Sequence, residues 1–132
     1  MGTESFIGAK VALLWAGQIV TLLRDDRADI PFPGLWDLPG GGREGNETPL
    51  ETALRETREE TGLRVSPNLV RYRREYRSAS GPAVFFGADL YAPPMLRKGS
   101  EGQALRLMPL GAFVSHPDGI PHFQALVRDW RG

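Results

Sequence analysis

The feature that most constrains this sequence is a helix signal that follows directly on a segment rich in proline and glycine. Thr48 is a suitable N-cap, Pro49 suits the first helical position, and Glu51 follows Thr48 at the spacing of a capping box. Gly62 is a suitable C-terminal stop, because glycine readily adopts the left-handed conformation that ends many helices. These residues predict a helix that begins at Glu47 and ends one residue before Gly62.

This helix has an apolar stripe and an acidic face. The stripe is formed by Leu50, Ala53, Leu54 and Thr57. Its positions i, i+3, i+4 and i+7 share one side of a helix and are expected to face a core. Glu56, Glu59 and Glu60 occupy positions i, i+3 and i+4 and share another side. At about 100° per residue, their mean direction lies roughly 120° from the stripe, so the carboxylates are expected beside the buried face.

Three carboxylates on one helix face repel one another, which destabilises the helix unless a cation lies among them. The sequence contains no Cys and this face carries no His, so its ligands are oxygen atoms only. Such ligands are typical of Mg²⁺, with Mn²⁺ as a substitute, and either cation can polarise a phosphoryl group and lower the pKa of an attacking water. Arg55, four residues from both Glu51 and Glu59, can orient a carboxylate or contact phosphate.

The alternative interpretation is an acidic helix face that is simply solvated. The glycine-rich segment argues against it, because this segment ends where the helix starts. Backbone N–H groups at a helix N-terminus and in a glycine-rich loop can receive anions. The combined pattern favours a metal site that handles phosphate groups.

The rest of the chain carries further strand and helix signals. The predicted strands are Phe6–Trp15, Ile19–Leu23, Asn68–Arg77, Pro82–Tyr91 and Ala104–Met108. Ala16 and Gly17 form a hairpin turn between the first two strands. A helical turn is predicted at 110–114 and a closing helix at 121–130. The sum predicts a mixed α/β fold with helices on both sides of a sheet, and 132 residues suit one domain spanning residues 1–132.

The amino-acid composition limits which kinds of partner the protein is expected to bind. The 16 basic and 16 acidic residues give a net charge of zero, which argues against a nucleic-acid partner but allows a small phosphorylated ligand. The best apolar stretch, residues 11–23, is interrupted by Gly17 and Gln18 and is too short to span a membrane. No signal peptide is recognised, and the absence of Cys fits a reducing compartment. We therefore expect a cytoplasmic protein without a membrane partner.

Gly41, Glu47 and the run from Arg55 to Leu63 (RETREETGL) together resemble the Nudix box, the signature of the Nudix hydrolases. All seven of its fixed polar or glycine positions match in spacing. Thr57 stands where the family prefers an aliphatic residue, but its methyl group can face the core and its hydroxyl can bond to the preceding turn. The segment WDLPGG at 36–41 resembles the family's loop before the box. The predicted hairpin before it and the strands after the box also fit the family's fold, so the resemblance covers nearly the whole chain.

The resemblance implies an α/β/α sandwich with a mixed sheet and Mg²⁺-dependent hydrolysis of a nucleoside diphosphate linked to another group. Water attacks phosphorus in this reaction. The short chain and the brief loop after the fourth strand favour (d)NTPs, cleaved to NMP and pyrophosphate, over ADP-ribose or nucleotide sugars. A Nudix domain that senses a nucleotide without cleaving it is the alternative, but such domains usually lose a glutamate of the box. The protein is expected to be a monomer or a homodimer.

Positions carried over from the family define the expected site. The implied metal ligands are Glu56, Glu59, Glu60 and Gly41. The implied catalytic residues are Glu59, Glu56, Arg55 and Glu101. Glu47 is implied as an outer contributor to the metal site. Glu101 is placed like a glutamate in a late loop of the MutT-like branch, where it would act as general base or as metal ligand.

The implied substrate-binding residues are Arg24, Trp36, Asp37, Leu38 and His122. Arg24 ends the second strand, near an arginine of the MutT-like branch that contacts phosphate or sugar. Asp37 precedes the Leu38–Gly41 turn, where an acid can reach a purine edge, and Trp36 either stacks on a base or anchors the loop. His122 stands where that branch carries an asparagine that reads the base, so specificity for oxidised guanine is not implied.

Overall fold

The computed structural model describes residues 5–131. The strands are β1 (Gly8–Trp15), β2 (Gln18–Leu23), β3 (Trp36–Asp37), β4 (Gly40–Gly42), β5 (Val70–Ser78), β6 (Gly81–Asp89) and β7 (Ala104–Pro109). The helices are α1 (Pro49–Thr61), α2 (Leu110–Val114) and α3 (Pro121–Arg131), with a 3₁₀ turn at Pro67–Leu69. Every strand and helix predicted from the sequence is present, with ends displaced by at most two residues. Within the described residues, no helix is long and apolar enough to cross a membrane.

The seven strands form one mixed sheet. Its main path runs β3-β2-β1-β6-β5, with β4 paired to β1 and β7 paired to β2. Strands β1 and β6 are parallel, whereas the other pairs are antiparallel. The pairing of β4 with the first residues of β1, Gly8 to Lys10, brings the glycine-rich segment onto the centre of the sheet. The sequence predicts β3 and β4 only as part of a long loop, because two- and three-residue strands have no periodicity to detect.

Both faces of the sheet are buried, as expected for a sheet between helices. Val11 and Leu13 of β1 belong to the core cluster on the α1 side, which includes Ala53. Ala12 of the same strand belongs to the cluster on the opposite side, which includes Phe113 of α2 and several side chains of α3. This alternation follows from the two-residue period of a β-strand. The α/β/α arrangement is therefore confirmed.

Helix α1 has the predicted caps. The Thr48 hydroxyl accepts a hydrogen bond from the Glu51 N–H at 3.1 Å, and the Glu51 carboxylate accepts one from the Thr48 N–H at 2.8 Å. Gly62 has φ 77°, and its N–H donates to the Arg58 carbonyl at 3.0 Å. Because these bonds satisfy backbone groups at both ends, the acidic face is held in a helix with defined bounds.

The buried side of α1 differs from the predicted apolar stripe. Leu50 and Leu54 are only half-buried, whereas Glu60 is 9% exposed and lies on the buried side. The buried residues of the helix are Pro49, Thr52, Ala53, Thr57, Glu60 and Thr61. Buried threonines are tolerated there because the Thr57 and Thr61 hydroxyls each donate to the carbonyl four residues earlier at 2.7 Å. The expectation that all three carboxylates lie beside the buried face is thus wrong for Glu60.

Replacing Thr48 with alanine removes the oxygen that caps α1. We expect Thr48→Ala to lower the free energy of unfolding by about 1 kcal/mol in urea denaturation. Ser66→Ala is the matched control, because Ser66 precedes the 3₁₀ turn without a side-chain capping bond. We expect it to change stability by less than about 0.5 kcal/mol. Equal effects of the two substitutions would contradict the capping role of Thr48.

Candidate active site

The acidic face of α1 is organised around Arg55. The Arg55 Nε donates to Glu47 at 2.6 Å, and Nη1 donates to Glu56 at 3.0 Å and to Glu59 at 3.2 Å. Its Nη2 donates to the Gly42 carbonyl at 2.9 Å. Arg55 thus reaches Glu59, as the spacing predicts, and it joins α1 to β4. The Glu51 carboxylate, which the spacing also places within reach of Arg55, instead accepts the Thr48 N–H and caps the helix.

These contacts shift the ionisation of the cluster. Hydrogen bonding to Arg55 lowers the pKa of Glu47 from 4.5 to about 2. The hydrogen bonds of Arg55 to Glu47, Glu56 and Glu59 raise the pKa of the arginine. Burial raises the pKa of Glu56, although Arg55 opposes this shift. Burial also raises the pKa of Glu60 to about 7, against the opposing charge of Lys10 and a backbone hydrogen bond.

The β3–β4 turn holds the buried end of the acidic face. The Gly40 N–H donates to Glu60 Oε1 at 2.9 Å. A Cβ atom placed on Gly41 would lie 2.6 Å from the carboxyl carbon of Glu56, so that carboxylate rests directly on the Gly41 backbone. The predicted metal residues Glu56, Glu60 and Gly41 are therefore neighbours in the structure.

Glu101 reaches the same site from the loop between β6 and β7. This loop is tied to the end of α1 by backbone bonds from the Arg97 N–H to the Thr61 carbonyl at 2.8 Å and from the Gly99 N–H to the Glu60 carbonyl at 3.1 Å. As a result, one acidic cavity of about 300 Å³ collects side chains from both segments. It is lined by Glu44, Glu56, Glu59, Glu60, Ser100 and Glu101. Glu44 and Ser100 are not predicted from the sequence, because neither lies at a distinctive spacing.

The acidic cavity has donors suited to a hard divalent cation. Glu56, Glu59, Glu60 and Glu101 supply carboxylate oxygens, which Mg²⁺ and Mn²⁺ prefer. As the side chains stand, residues 5–131 contain no group of three or more His, Cys, Asp or Glu close enough to hold a metal ion. In this arrangement the Arg55 guanidinium bonds to Glu56 and Glu59. These residues thus fit a cation in two respects: their donor atoms are of the type that it prefers, and they line the same cavity.

A second, larger cavity is lined by residues from β1, β4, β5 and α3. Its volume is about 500 Å³, and three of the predicted substrate residues line it, namely Arg24, Asp37 and His122. Trp36 and Leu38 do not, because they are 6% and 0% exposed and pack in the core cluster on the α3 side. For Trp36 the structure supports anchoring of the loop rather than stacking on a base.

The wall of the larger cavity contains a buried ion-paired aspartate. Asp37 is 1% exposed, and its Oδ2 accepts hydrogen bonds from Lys10 at 2.9 Å and from Arg24 at 3.1 Å. Its Oδ1 accepts the N–H of Leu38 at 2.7 Å. Lys10 is not predicted from the sequence as a site residue. A lysine between Ala9 and Val11 in an apolar strand is the signal that could have found it.

The opposite wall of this cavity is aromatic. The His122 ring lies 4.2 Å from Phe123, 5.5 Å from Phe32 and 5.9 Å from Tyr76, measured between ring centroids. Burial lowers the pKa of His122 and so favours its neutral form near pH 7. Uncharged rings around a cavity of this size suit a planar ligand group such as a nucleobase. Phe123 directly follows His122 in the chain, whereas Phe32 and Tyr76 come from separate segments and are not predicted from the sequence to contact it.

The sequence matches a known protein family over most of its length. The family described as NUDIX domain matches residues 7–129. A putative 8-oxo-dGTP diphosphatase 3 from Mycobacterium tuberculosis is 60% identical over 56 residues, which are 42% of this chain and 23% of that relative. The matched segments span less than a third of the length of the first curated relatives.

Solved structures share the fold. The MutT protein from Methanosarcina mazei Go1 has a TM-score of 0.77 and 20% identity, covering 95% of this chain and 91% of that chain. A bifunctional NMN adenylyltransferase/ADP ribose pyrophosphatase from Francisella tularensis, complexed with AMP and a Mn ion, has a TM-score of 0.75 and 18% identity. That match covers 98% of this chain and 42% of that chain. At these identities the likeness shows the fold alone.

The depressed pKa of Glu47 predicts how its ion pair depends on pH. Because the folded pKa of about 2 lies below the usual 4.5, the stabilisation is present above pH 4.5 and is lost as the pH falls towards 2. We therefore expect Glu47→Gln to destabilise the protein at about pH 7 and to cost progressively less below about pH 4. Urea denaturation of both proteins across this range measures the difference.

The control for this experiment removes the partner of Glu47. In an Arg55→Met background, Glu47→Gln should have a smaller effect at every pH, because only the bonds of Glu47 to Thr52 and to the Glu44 N–H remain. A Glu47→Gln effect that is independent of pH, or unchanged by the loss of Arg55, would contradict this assignment.

Proposed function

The chain belongs to the NUDIX domain family, and we propose that it is a Mg²⁺-dependent pyrophosphohydrolase that cleaves (d)NTPs to NMP and pyrophosphate. One observation supports this most directly: the position of Arg24. Arg24 lines the larger cavity, an aromatic cavity with the His122, Phe32, Tyr76 and Phe123 rings in its wall. It also lines a third, smaller cavity, which shares Glu60 and Glu101 with the acidic cavity. A nucleotide with its base among the rings would therefore extend past Arg24 with its phosphates towards the acidic cavity.

We propose that Glu56, Glu59 and Glu60, with the Gly41 carbonyl, hold Mg²⁺, for which Mn²⁺ can substitute. When bound, the cation would neutralise phosphate charge and make a coordinated water more acidic. The chain's own contribution is to keep these carboxylates together despite their repulsion. Arg55 contributes by pairing with Glu56 and Glu59 and by bonding to the carbonyl of Gly42, next to Gly41.

Glu101 has two proposed roles, which the cavity geometry allows equally. As general base it would take the proton from the attacking water, and as a ligand it would add an oxygen to the metal site. Arg24 is proposed to contact phosphate or sugar, and His122 to pack against the base. Asp37 would then act mainly by holding Arg24 in place, since its Oδ2 already accepts bonds from Lys10 and Arg24.

An ADP-ribose or nucleotide-sugar pyrophosphatase is the second candidate. The Francisella tularensis neighbour is named as an ADP ribose pyrophosphatase, and the larger cavity of about 500 Å³ has room for more than a base. A domain that senses nucleotides without cleaving them is the third. We further propose one NUDIX domain over residues 1–132, acting in the cytoplasm on a small nucleotide as a monomer or homodimer, without a nucleic-acid or membrane partner.

A substrate panel tests the proposed reaction. It contains dNTPs, 8-oxo-dGTP, ADP-ribose, NADH, diadenosine polyphosphates and UDP-sugars, each with Mg²⁺ and again with EDTA. We expect pyrophosphate and NMP from a triphosphate, abolished by EDTA. Cleavage confined to ADP-ribose or a sugar nucleotide would replace the proposed substrate class. Nucleotide binding without any turnover would favour the sensor.

Glu59→Gln tests the acidic face directly. We expect the variant to lose turnover by about 100-fold or more, because a catalytic cation supplies several kcal/mol and would be held less well. Since the Glu59 side chain is 57% exposed, the fold should be retained, which circular dichroism and urea denaturation would check. Glu75→Gln is the control, because this glutamate lies exposed on the outer strand β5. Full activity of Glu59→Gln would refute the metal-site assignment.

A further inference from the structure

Lys10 is a charged residue in the middle of a buried strand. Its neighbours Ala9 and Val11 are 2% and 0% exposed, and its own side chain is 14% exposed. Removing an ammonium group from water is costly unless it is paired and hydrogen-bonded. The position of Lys10 therefore calls for a specific role.

All three donors of the Lys10 ammonium are used within the protein. Nζ donates to Asp37 Oδ2 at 2.9 Å, to the Leu38 carbonyl at 3.1 Å and to the Gly40 carbonyl at 3.2 Å. A lysine ammonium has three N–H groups, so none remains for a substrate phosphate in this arrangement. The three acceptors all lie on the segment from β3 to β4. Lys10 thus binds β1 to this turn.

The turn held by Lys10 is the one that contacts the acidic face of α1. The Gly40 N–H donates to Glu60, and the Gly41 backbone supports Glu56. The Pro39 carbonyl also accepts the Val11 N–H at 2.9 Å, one residue beyond Lys10 in β1. Any loosening of the turn would therefore move the backbone groups that contact Glu60 and Glu56. Lys10 can affect both carboxylates in this way without contacting them.

We propose that Lys10 is a positioning residue: it clamps the β3–β4 turn against β1 and thereby sets Glu60 and Glu56 for metal binding. The inference rests on the proposed metal site, but it assigns to Lys10 a role distinct from substrate binding. Outer contacts of this kind commonly change metal affinity by about 10–100-fold when they are removed.

The test measures binding of Mn²⁺ alone to the protein without nucleotide, by electron paramagnetic resonance of the free ion. Lys10→Met keeps a linear side chain, and Asp37 retains Arg24 as a partner at 3.1 Å. We expect Lys10→Met to weaken Mn²⁺ binding by about 10–100-fold. Arg24→Met is the matched control, since it also removes a cation from Asp37 but leaves all contacts of Lys10 with the turn. It should raise the KM for nucleotide while leaving Mn²⁺ affinity nearly unchanged.

Amide hydrogen exchange supplies a readout independent of metal. In Lys10→Met, exchange should accelerate at least tenfold at Gly40 and Val11, whose N–H groups bond within the clamped region, and should stay unchanged at Val127 in α3. If Lys10→Met does not fold, the double variant Lys10→Met/Asp37→Asn removes the buried charge pair together, and it should show the same two effects.

The outcomes separate this inference from the proposed function. Wild-type protein that binds no Mn²⁺ would overturn the proposed metal site. Mn²⁺ binding by wild type that is unchanged in Lys10→Met, with unchanged exchange at Gly40, would overturn the clamp alone. A raised KM for nucleotide in Lys10→Met, without either effect, would instead assign Lys10 to substrate binding and likewise overturn the clamp.

Discussion

The close approach of the β3–β4 glycines to their neighbours is the constraint on which the site depends. A Cβ atom on Gly40 would lie 2.2 Å from the Ala9 carbonyl oxygen, and one on Gly41 would lie 2.6 Å from the Glu56 carboxyl carbon. Gly40 also has φ 139°, which residues with a side chain rarely adopt. Only without side chains at these positions can β4 pair with β1 and carry the α1 carboxylates on its backbone. The glycines therefore set the distance between the helix and the sheet.

The second organising element is the pairing of charges around this contact. Arg55 bonds to Glu47, Glu56 and Glu59 on one side, and the buried Glu60 receives the Gly40 N–H on the other. Grouped like charges cost stability, and hydrophobic residues would make a more stable helix face. Fold stability alone would therefore not favour this arrangement. Arg55 offsets part of the repulsion by contacting three of the carboxylates.

The two cavities have different linings, so the site has two chemically distinct ends. The aromatic cavity presents rings on one wall and the ion-paired Lys10, Arg24 and Asp37 on another, whereas the acidic cavity is lined mainly by carboxylates. Arg24 lies at the junction, and its guanidinium is held by Asp37 at 3.1 Å and by the Pro31 carbonyl at 2.8 Å. A ligand with one planar end and one phosphorylated end matches this order. Because Asp37 also accepts from Lys10, a single buried carboxylate connects the wall of the aromatic cavity with the turn that supports Glu56 and Glu60.

Local patterns in the sequence were sufficient to predict helix α1 and the residues of its acidic face. Caps, helical periodicity and the glutamate spacing involve residues within a few positions of one another, so Thr48, Gly62 and Glu59 could be assigned without tertiary information. The spacing from Gly41 to Leu63 was also enough to identify the family. No local pattern shows how deeply each side chain is buried. The burial of Glu60 and the core positions of Trp36 and Leu38 therefore became clear only from the structure.

By itself, the sequence determined a mixed α/β fold, a capped helix and the set of carboxylates that this helix presents. The tertiary structure alone decided which of them are buried, that Glu101 joins them in one cavity, and that Lys10 binds the turn beneath them. The reason is physical. Helix formation and capping depend on neighbours along the chain, whereas burial, ion pairing and cavity shape depend on which distant strands and loops pack together.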